Sequence, residues 1–370
     1  MTGRVYGVDL GTCFLKIYKK GKGVILNQRN IIAIENKRNV LAVGDEAYEM
    51  YEKAPANVNI SNPVRNGVIA DIANMEKLFS AFMKECTKTG KLQSADYLVA
   101  IPMDVTEVEK RAFVELIEGS TAKVHKVKIV AKPIAAALGA GLDVNNAYGV
   151  MMVDIGASTT EIAIISLGGI VISQLVPIGG DSFNEVIIND IKKRFNLLIG
   201  NKTAYKLKTK LGNIKFIDEN TQENIDENID ENIDESCNSI IEQNDENIKE
   251  DEIVTELEIY GRNVVTGLPQ KVVVTSEMVI EAMQEPLEQI MEAIKRILER
   301  TPPEISADII DSGVYIAGGS ATIKGIDRLV HEHTGLEVNV CEAPEQVVIN
   351  GLGKIIENPK LKCLAYEFRK

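Results

Sequence analysis

Two short stretches carry residue types suited to holding phosphate. Asp9-Leu10-Gly11-Thr12 closes an apolar run that begins at Val5, and Asp154-Ile155-Gly156-Ala157-Ser158-Thr159 closes another that begins at Gly149. In each, the glycine lets backbone N–H groups approach closely enough to cradle phosphate oxygens. Thr12 and Thr159 each offer a hydroxyl donor, and Asp9 and Asp154 are of the type that holds Mg2+, directly or through water. One such loop by itself is most often a plain hairpin turn. Two copies, with Asp154 lying 145 residues after Asp9 and a strand meander after each, point instead to a pair of loops that clamp one nucleotide tail across a cleft.

Two further glycine clusters complete a candidate nucleotide site. Gly179-Gly180-Asp181 ends the second meander and opens a helix with Phe183, Ile187, Ile191 and Phe195 on one stripe, and Gly318-Gly319-Ser320 follows a strand at Val314 to Ala317. Each reads equally as a capped helix start. Cys13 lies within the first loop, but nothing there favours a thiolate.

The elements that must position these loops are strand-rich. Val5–Leu10, Phe14–Lys19 and a strand near Gly23 form one meander; Gly149–Asp154, Thr160–Leu167 and Ile170–Val176 form the other. The chain has 370 residues, enough for two domains, with 45% hydrophobic and 26% charged residues, an ordinary globular composition. Its net charge of −13 is concentrated: residues 215–252 hold 15 acidic residues against 2 lysines, leaving 39 of each sign elsewhere. A neutral body has no basic field for DNA or RNA, so no nucleic-acid partner is expected. Five scattered cysteines (Cys13, Cys86, Cys237, Cys341, Cys363) without a C-x-x-C pair, no signal-peptide pattern and no apolar run of membrane-spanning length fit a cytoplasmic protein.

The order Asp9-Leu10-Gly11-Thr12, Asp154-Ile155-Gly156, Gly179-Gly180-Asp181, Gly318-Gly319 resembles the actin, Hsp70 and sugar-kinase superfamily. Asn62-Pro63-Val64-Arg65-Asn66-Gly67-Val68-Ile69-Ala70-Asp71, residues 135–142, Gly261-Arg262-Asn263 with Thr266-Gly267-Leu268-Pro269, and Thr301-Pro302-Pro303-Glu304 narrow the resemblance to the MreB family, the bacterial actins, over nearly the whole chain. The resemblance implies an actin-like α/β ATPase fold, two lobes of mixed sheet and flanking helices around a nucleotide cleft, each with a smaller subdomain. It implies lobe I over 1–145 with an inserted subdomain at about 31–74, lobe II over 146–340 with one at about 183–274, and a return helix and basic tail over 341–370. It also implies ATP or ADP with Mg2+, and head-to-tail filaments, paired as protofilaments, acting in cell shape or motility. Such filaments are expected in the cytoplasm at the membrane, and a divergent paralogue, as in wall-less helical bacteria, would take other MreB chains as partners. A head-to-tail contact is heterologous, so an open filament is its natural product.

Several positions depart from the family pattern. Lys132 stands before Pro133 where most MreB sequences have the Glu that orients the attacking water; a lysine cannot accept the water's proton, but its cation can pair with the γ-phosphate. The family partner of that Glu survives as Thr159. Slow ATP hydrolysis follows, unless Lys132 turns to solvent and another group positions water. Ala157 and Ser158 replace loop glycines, and Lys16, seven residues after Asp9, is either a phosphate ligand, as its spacing in eukaryotic actin implies, or a solvated strand residue. Lys208 matches a family lysine at the nucleoside, whereas Tyr205 replaces its glutamate partner and either stacks on the nucleoside or occupies a plain amphipathic position.

Residues 217–251, with Glu-Asn-Ile-Asp three times from Glu223, read as an acidic disordered insert. Leu361, Leu364, Ala365 and Phe368 with Lys360, Lys362, Arg369 and Lys370 read as a basic amphipathic stretch, placed either on an anionic membrane or on lobe I. A small-molecule kinase of the same superfamily and a pseudo-ATPase scaffold that co-assembles with active paralogues are the competing readings.

Overall fold

A computed structural model describes residues 3–87, 93–120, 123–214 and 255–368. The acidic insert, Arg369 and Lys370 lie outside the described residues. Lobe I opens with β1 (Val5–Leu10), β2 (Phe14–Lys19) and β3 (Gly23–Arg29), followed by a small sheet of β4 (Ile32–Glu35), β5 (Asn39–Val43) and β6 (Val58–Ser61) that carries the short helix α1 (Asp45–Met50). The β-hairpin of β7 (Val64–Arg65) and β8 (Val68–Ile69) leads to α2 (Ile72–Glu85), β9 (Ala95–Ile101), α3 (Glu107–Gly119), β10 (Val124–Ala131) and α4 (Lys132–Gly139). Thr106 and Glu109 form the capping box expected from their spacing at the start of α3.

Lobe II repeats the plan with β11 (Val150–Ile155), β12 (Thr160–Ser166), β13 (Gly169–Val176) and α5 (Gly180–Phe195). Then come β14 (Leu197–Leu198), α6 (Asn201–Leu211), β15 (Glu256–Asn263) and β16 (Pro269–Thr275), in which β14, β15 and β16 make a separate sheet. The chain ends through α7 (Ser276–Glu299), α8 (Pro303–Ser312), β17 (Val314–Ala317), α9 (Ile326–Thr334), β18 (Val338–Val340) and α10 (Val347–Glu357).

The duplication seen in the loops extends to the sheets. One runs β10-β9-β1-β2-β3 and the other β18-β17-β11-β12-β13, each with an antiparallel meander on one side and parallel strands on the other. Each sheet has its own core, with Phe79, Phe82 and Phe113 under the first and Phe183, Ile187 and Ile290 under the second. A third cluster joins α4 and α10 to the strands between the lobes.

The helices α4 and α10 meet backbone to backbone. A Cβ built on Gly351 would lie 1.7 Å from the Ala135 carbonyl oxygen, and one on Gly139 would lie 1.8 Å from that of Val347. Only glycine permits this approach, and the approach fixes where α4, and so Lys132 at its start, sits against β1.

The C-terminal stretch is not a free amphipathic helix. Pro359–Leu364 is a 3-10 turn, and Tyr366 then pairs antiparallel with Ile129 on β10. Leu361, Leu364, Ala365 and Phe368 turn inward onto the lobe cores, so the apolar stripe that the sequence offers to a membrane is used inside the protein. No helix among the described residues is long and apolar enough to cross a membrane.

Candidate functional site

Both loops make the same turn. The Gly11 N–H donates to the Phe14 carbonyl at 3.0 Å, and the Gly156 N–H donates to the Thr159 carbonyl at 2.9 Å. They face each other closely enough for the Thr12 and Ser158 hydroxyls to hydrogen-bond at 2.7 Å, across 146 positions of sequence. Ser158, which replaces a loop glycine, therefore closes a link between the lobes that glycine could not make.

Around the loops lies a cavity of ≈ 1000 Å3. Asp9, Gly11, Thr12, Cys13, Lys16, Lys132, Asp154, Gly156, Ala157, Ser158, Thr159, Gly180, Asp181, Tyr205, Lys208, Gly318, Gly319 and Ser320, all expected at the site, line it. Gly179 does not. Its α-carbon backs onto the carbonyls of Gly156 and Ala157, where a side chain would not fit, so it supports the second loop from behind. The start of α5 is fastened to that loop through Gly180 N–H to Gly156 O at 3.0 Å and Asp181 N–H to Ala157 O at 2.6 Å. Ser320 adds a bond from its hydroxyl to Gly156 O at 3.1 Å.

The cavity floor is a buried set of charges in a repeated frame. Asp9 pairs across the sheet with Lys16 and Asp154 pairs with Glu161, the same seven-residue step in each lobe. Lys16 Nζ lies 3.6 Å from Asp9 Oδ2, and Lys132 Nζ lies 3.8 Å from Asp9 Oδ1. Lys16 thus points into the cleft and is not a solvated strand residue; it is 7% exposed. Burial works against the charge of Lys132, but Asp9, Glu161 and Asp154 outweigh it and hold the pKa above the ordinary lysine value. Lys132 is therefore an ammonium inside the cleft and does not swing to solvent. Burial raises the pKa of Asp154, and pushes that of Glu161 up to about 7, against the pull of Lys132 in both cases.

At the start of α5, Lys208 Nζ donates to Gly180 O at 2.6 Å and stands 5.3 Å from the centre of the Tyr205 ring. Burial drops the Lys208 pKa to about 8, with Asp181 opposing the shift. Burial also raises the Cys13 thiol, in line with an unreactive cysteine.

Five further residues shape the cleft without belonging to a glycine loop. Asn30, fully buried, donates from its side chain to Gly11 O at 2.7 Å and from its backbone to Cys13 O at 2.8 Å. Asn62 Nδ2 reaches Thr12 O at 3.2 Å. Glu52, beyond α1, accepts from the backbone N–H of Asn201 at 2.6 Å and Lys202 at 3.4 Å, so lobe I holds the start of α6 across the cleft mouth. Lys202 returns a bond to Glu49 O at 3.3 Å. Glu161 alone had a readable signal, since it follows Asp154 by the step that separates Lys16 from Asp9.

The carboxylates do not match a divalent ion held among them. Each Asp9 oxygen already faces an ammonium, and no three His, Cys, Asp or Glu side chains converge as metal ligands among the described residues. Of the buried side-chain oxygens without a hydrogen-bond partner among the described residues, the two carboxylate ones, Asp9 Oδ1 and Glu161 Oε2, belong to the group that surrounds Lys132.

The fold agrees with what known proteins show. The family model described as MreB/Mbl protein matches residues 3–228 and 214–363. The cell shape-determining protein MreB of Escherichia coli strain K12 is 37% identical over 356 residues, 95% of this chain and 92% of that one. The cell shape-determining protein Mbl of Bacillus subtilis strain 168 is 37% identical over 359 residues, 97% of each chain. Among solved structures, MreB 5 of Spiroplasma citri bound to AMPPNP superposes with a TM-score of 0.81 at 28% identity, covering 98% of both chains. A MamK double helical filament shares the fold at a TM-score of 0.71 and 19% identity, over 96% of this chain and 99% of that one. With the match running through both lobes and the loops between them, the chain belongs to the MreB/Mbl family.

Proposed function

We propose that this protein binds ATP or ADP between its lobes and assembles head to tail into cytoplasmic filaments that act in cell shape or motility. The observation that carries the reading is the pair of identical loop turns facing each other over one cavity, Thr12 against Ser158 at 2.7 Å. Relatives named for cell shape, and Spiroplasma citri structures bound to AMPPNP and to ADP, support it.

Gly11, Thr12, Gly156, Ser158 and Thr159 hold the phosphates, with Asp9 orienting Lys16 and Lys132 beneath them; Asp181, Tyr205, Lys208 and Gly318 to Ser320 hold the nucleoside. The Mg2+ that the family resemblance implies does not fit the carboxylates as direct ligands: Asp9 is engaged by two ammonium groups, which leaves at most Asp154, through water. Hydrolysis is slow, since Lys132 has no lone pair with which to take a proton from water in its charged form. Phosphate release under polymerising conditions tests this. Turnover near background in wild type that rises in Lys132→Glu supports the reading, and equal turnover in the two proteins refutes it.

Filament formation is tested by concentration-dependent pelleting; ATP-dependent phosphorylation of small sugars without pelleting would favour a kinase. The head-to-tail surface also suits a paralogous chain, and co-pelleting of two family members tests that partnership. A peripheral membrane contact through the tail requires Leu361, Leu364 and Phe368 to leave the cores they pack on, which vesicle co-sedimentation of filaments would detect.

A further inference from the structure

The charge count on the cavity floor leads beyond the rate of hydrolysis. Three carboxylates, Asp9, Asp154 and Glu161, share the floor with two ammonium groups, Lys16 and Lys132. A polyphosphate entering this pocket brings several negative charges, and in a partly water-excluded site they must be neutralised at close range. A divalent ion ordinarily does this for a nucleotide.

The floor is net negative by one, but a lysine at 132 in place of the glutamate of the family pattern makes it two charges less negative, the charge one divalent ion would bring. Lys132 opens α4, and the Gly351 and Gly139 backbone contacts set that helix against α10. Its ammonium has three donors, and Asp9 is its single ion-pair partner within 4.0 Å among the described residues. Donors therefore remain for phosphate oxygens, and Lys16, 3.6 Å from the other Asp9 oxygen, brings a second ammonium to the same place.

We propose that Lys132, with Lys16, is a resident countercharge that replaces the divalent ion, so that this protein binds the nucleotide polyphosphate without Mg2+. This rests on the nucleotide reading of the cleft. It differs from a loss of hydrolysis, because it concerns the ground-state affinity of the phosphates and would hold equally for a nucleotide that cannot be cleaved.

The test is titration of nucleotide-stripped, full-length protein with a fluorescent ATP analogue, in excess Mg2+ and in EDTA, read by anisotropy. Wild type should bind in EDTA within about threefold of its affinity in Mg2+, whereas Lys132→Gln should lose about tenfold or more in EDTA and much less in Mg2+. The wild-type comparison is decisive by itself if the variant fails to fold, which a melting curve shows. EDTA weakening wild type by tenfold or more would overturn the proposal while leaving the nucleotide reading intact. Absence of binding in both buffers would overturn the nucleotide reading and this proposal with it.

Discussion

Replacing Gly351 by alanine tests whether one helix contact positions the cleft. The added Cβ would stand 1.7 Å from the Ala135 carbonyl oxygen, so α10 and α4 must part by about 1.3 Å to restore an allowed contact. The obstacle is backbone, with no flexible side chain to swing aside. Val347, Val348, Leu352, Ile355 and Ile356 are buried on α10, and a gap of that size removes much of their dispersion contact with lobe I. Overpacking of this kind costs about 3 kcal/mol, which at about 2 °C per kcal/mol lowers the melting temperature by about 6 °C. Lys132 lies three residues before Ala135 on the same helix, so the variant should also bind the ATP analogue more weakly in EDTA. Scanning fluorimetry measures the first effect, with Gly3→Ala, whose Cβ meets nothing within 4 Å, as the control. A melting temperature within about 1 °C of wild type would show that the helices are not held at this separation.

Other consequences follow from single residues. Lys208 has a native pKa of about 8 against an ordinary value near 10.5, so the native state binds fewer protons in that window and stability rises with pH. Measured relative to Lys208→Met, wild type should gain up to about 3 kcal/mol between pH 8 and pH 10.5 in chemical denaturation, and a flat difference would refute the burial argument. Glu52→Gln weakens the grip on α6, so amide exchange at Asn201 and Lys202 should quicken by about threefold at low salt and less at high salt. Any residual phosphate release is assigned to Glu161, the acidic group across from Lys132; Glu161→Gln should bring it to background, and unchanged release would send the search elsewhere.

The parts of the site that a repeat can reveal were legible in the sequence. The loops at Asp9 and Asp154, the meanders behind them and the glycines at 180 and 318 stand out because backbone geometry restricts which residues can occupy such turns. Asn30 was not legible, since a buried amide that bonds a loop carbonyl leaves no pattern in the residues beside it; Asn62 opens a stretch that carries the family resemblance, but nothing in that stretch points to its bond with Thr12 O. Gly179 looks like a ligand in the sequence because it sits in a glycine cluster, although its neighbours in space are the carbonyls of the second loop. The tail had a helical stripe, but a stripe does not say what covers it, and pairing of Tyr366 with Ile129 sends it onto lobe I.

The two lobes agree in strand order, loop turn and acidic residue, and they differ seven residues on, where one has Lys16 and the other Glu161. The symmetric residues can only grip; a charge-neutral, symmetric clamp would hold phosphate from both sides in the same way. The asymmetric pair sets a cation from lobe I against an anion from lobe II, and Lys132, from neither meander, adds its charge beside Asp9. With a glutamate at 132 the floor would hold four carboxylates against one ammonium, a set that attracts a divalent ion. With lysine it holds three against two, less negative by the two charges that one divalent ion carries. One codon's worth of change before Pro133 therefore alters both what activates water and what neutralises the nucleotide. For that reason the EDTA titration and the phosphate-release assay should move together in Lys132→Glu, with Mg2+ dependence and turnover gained in the same variant.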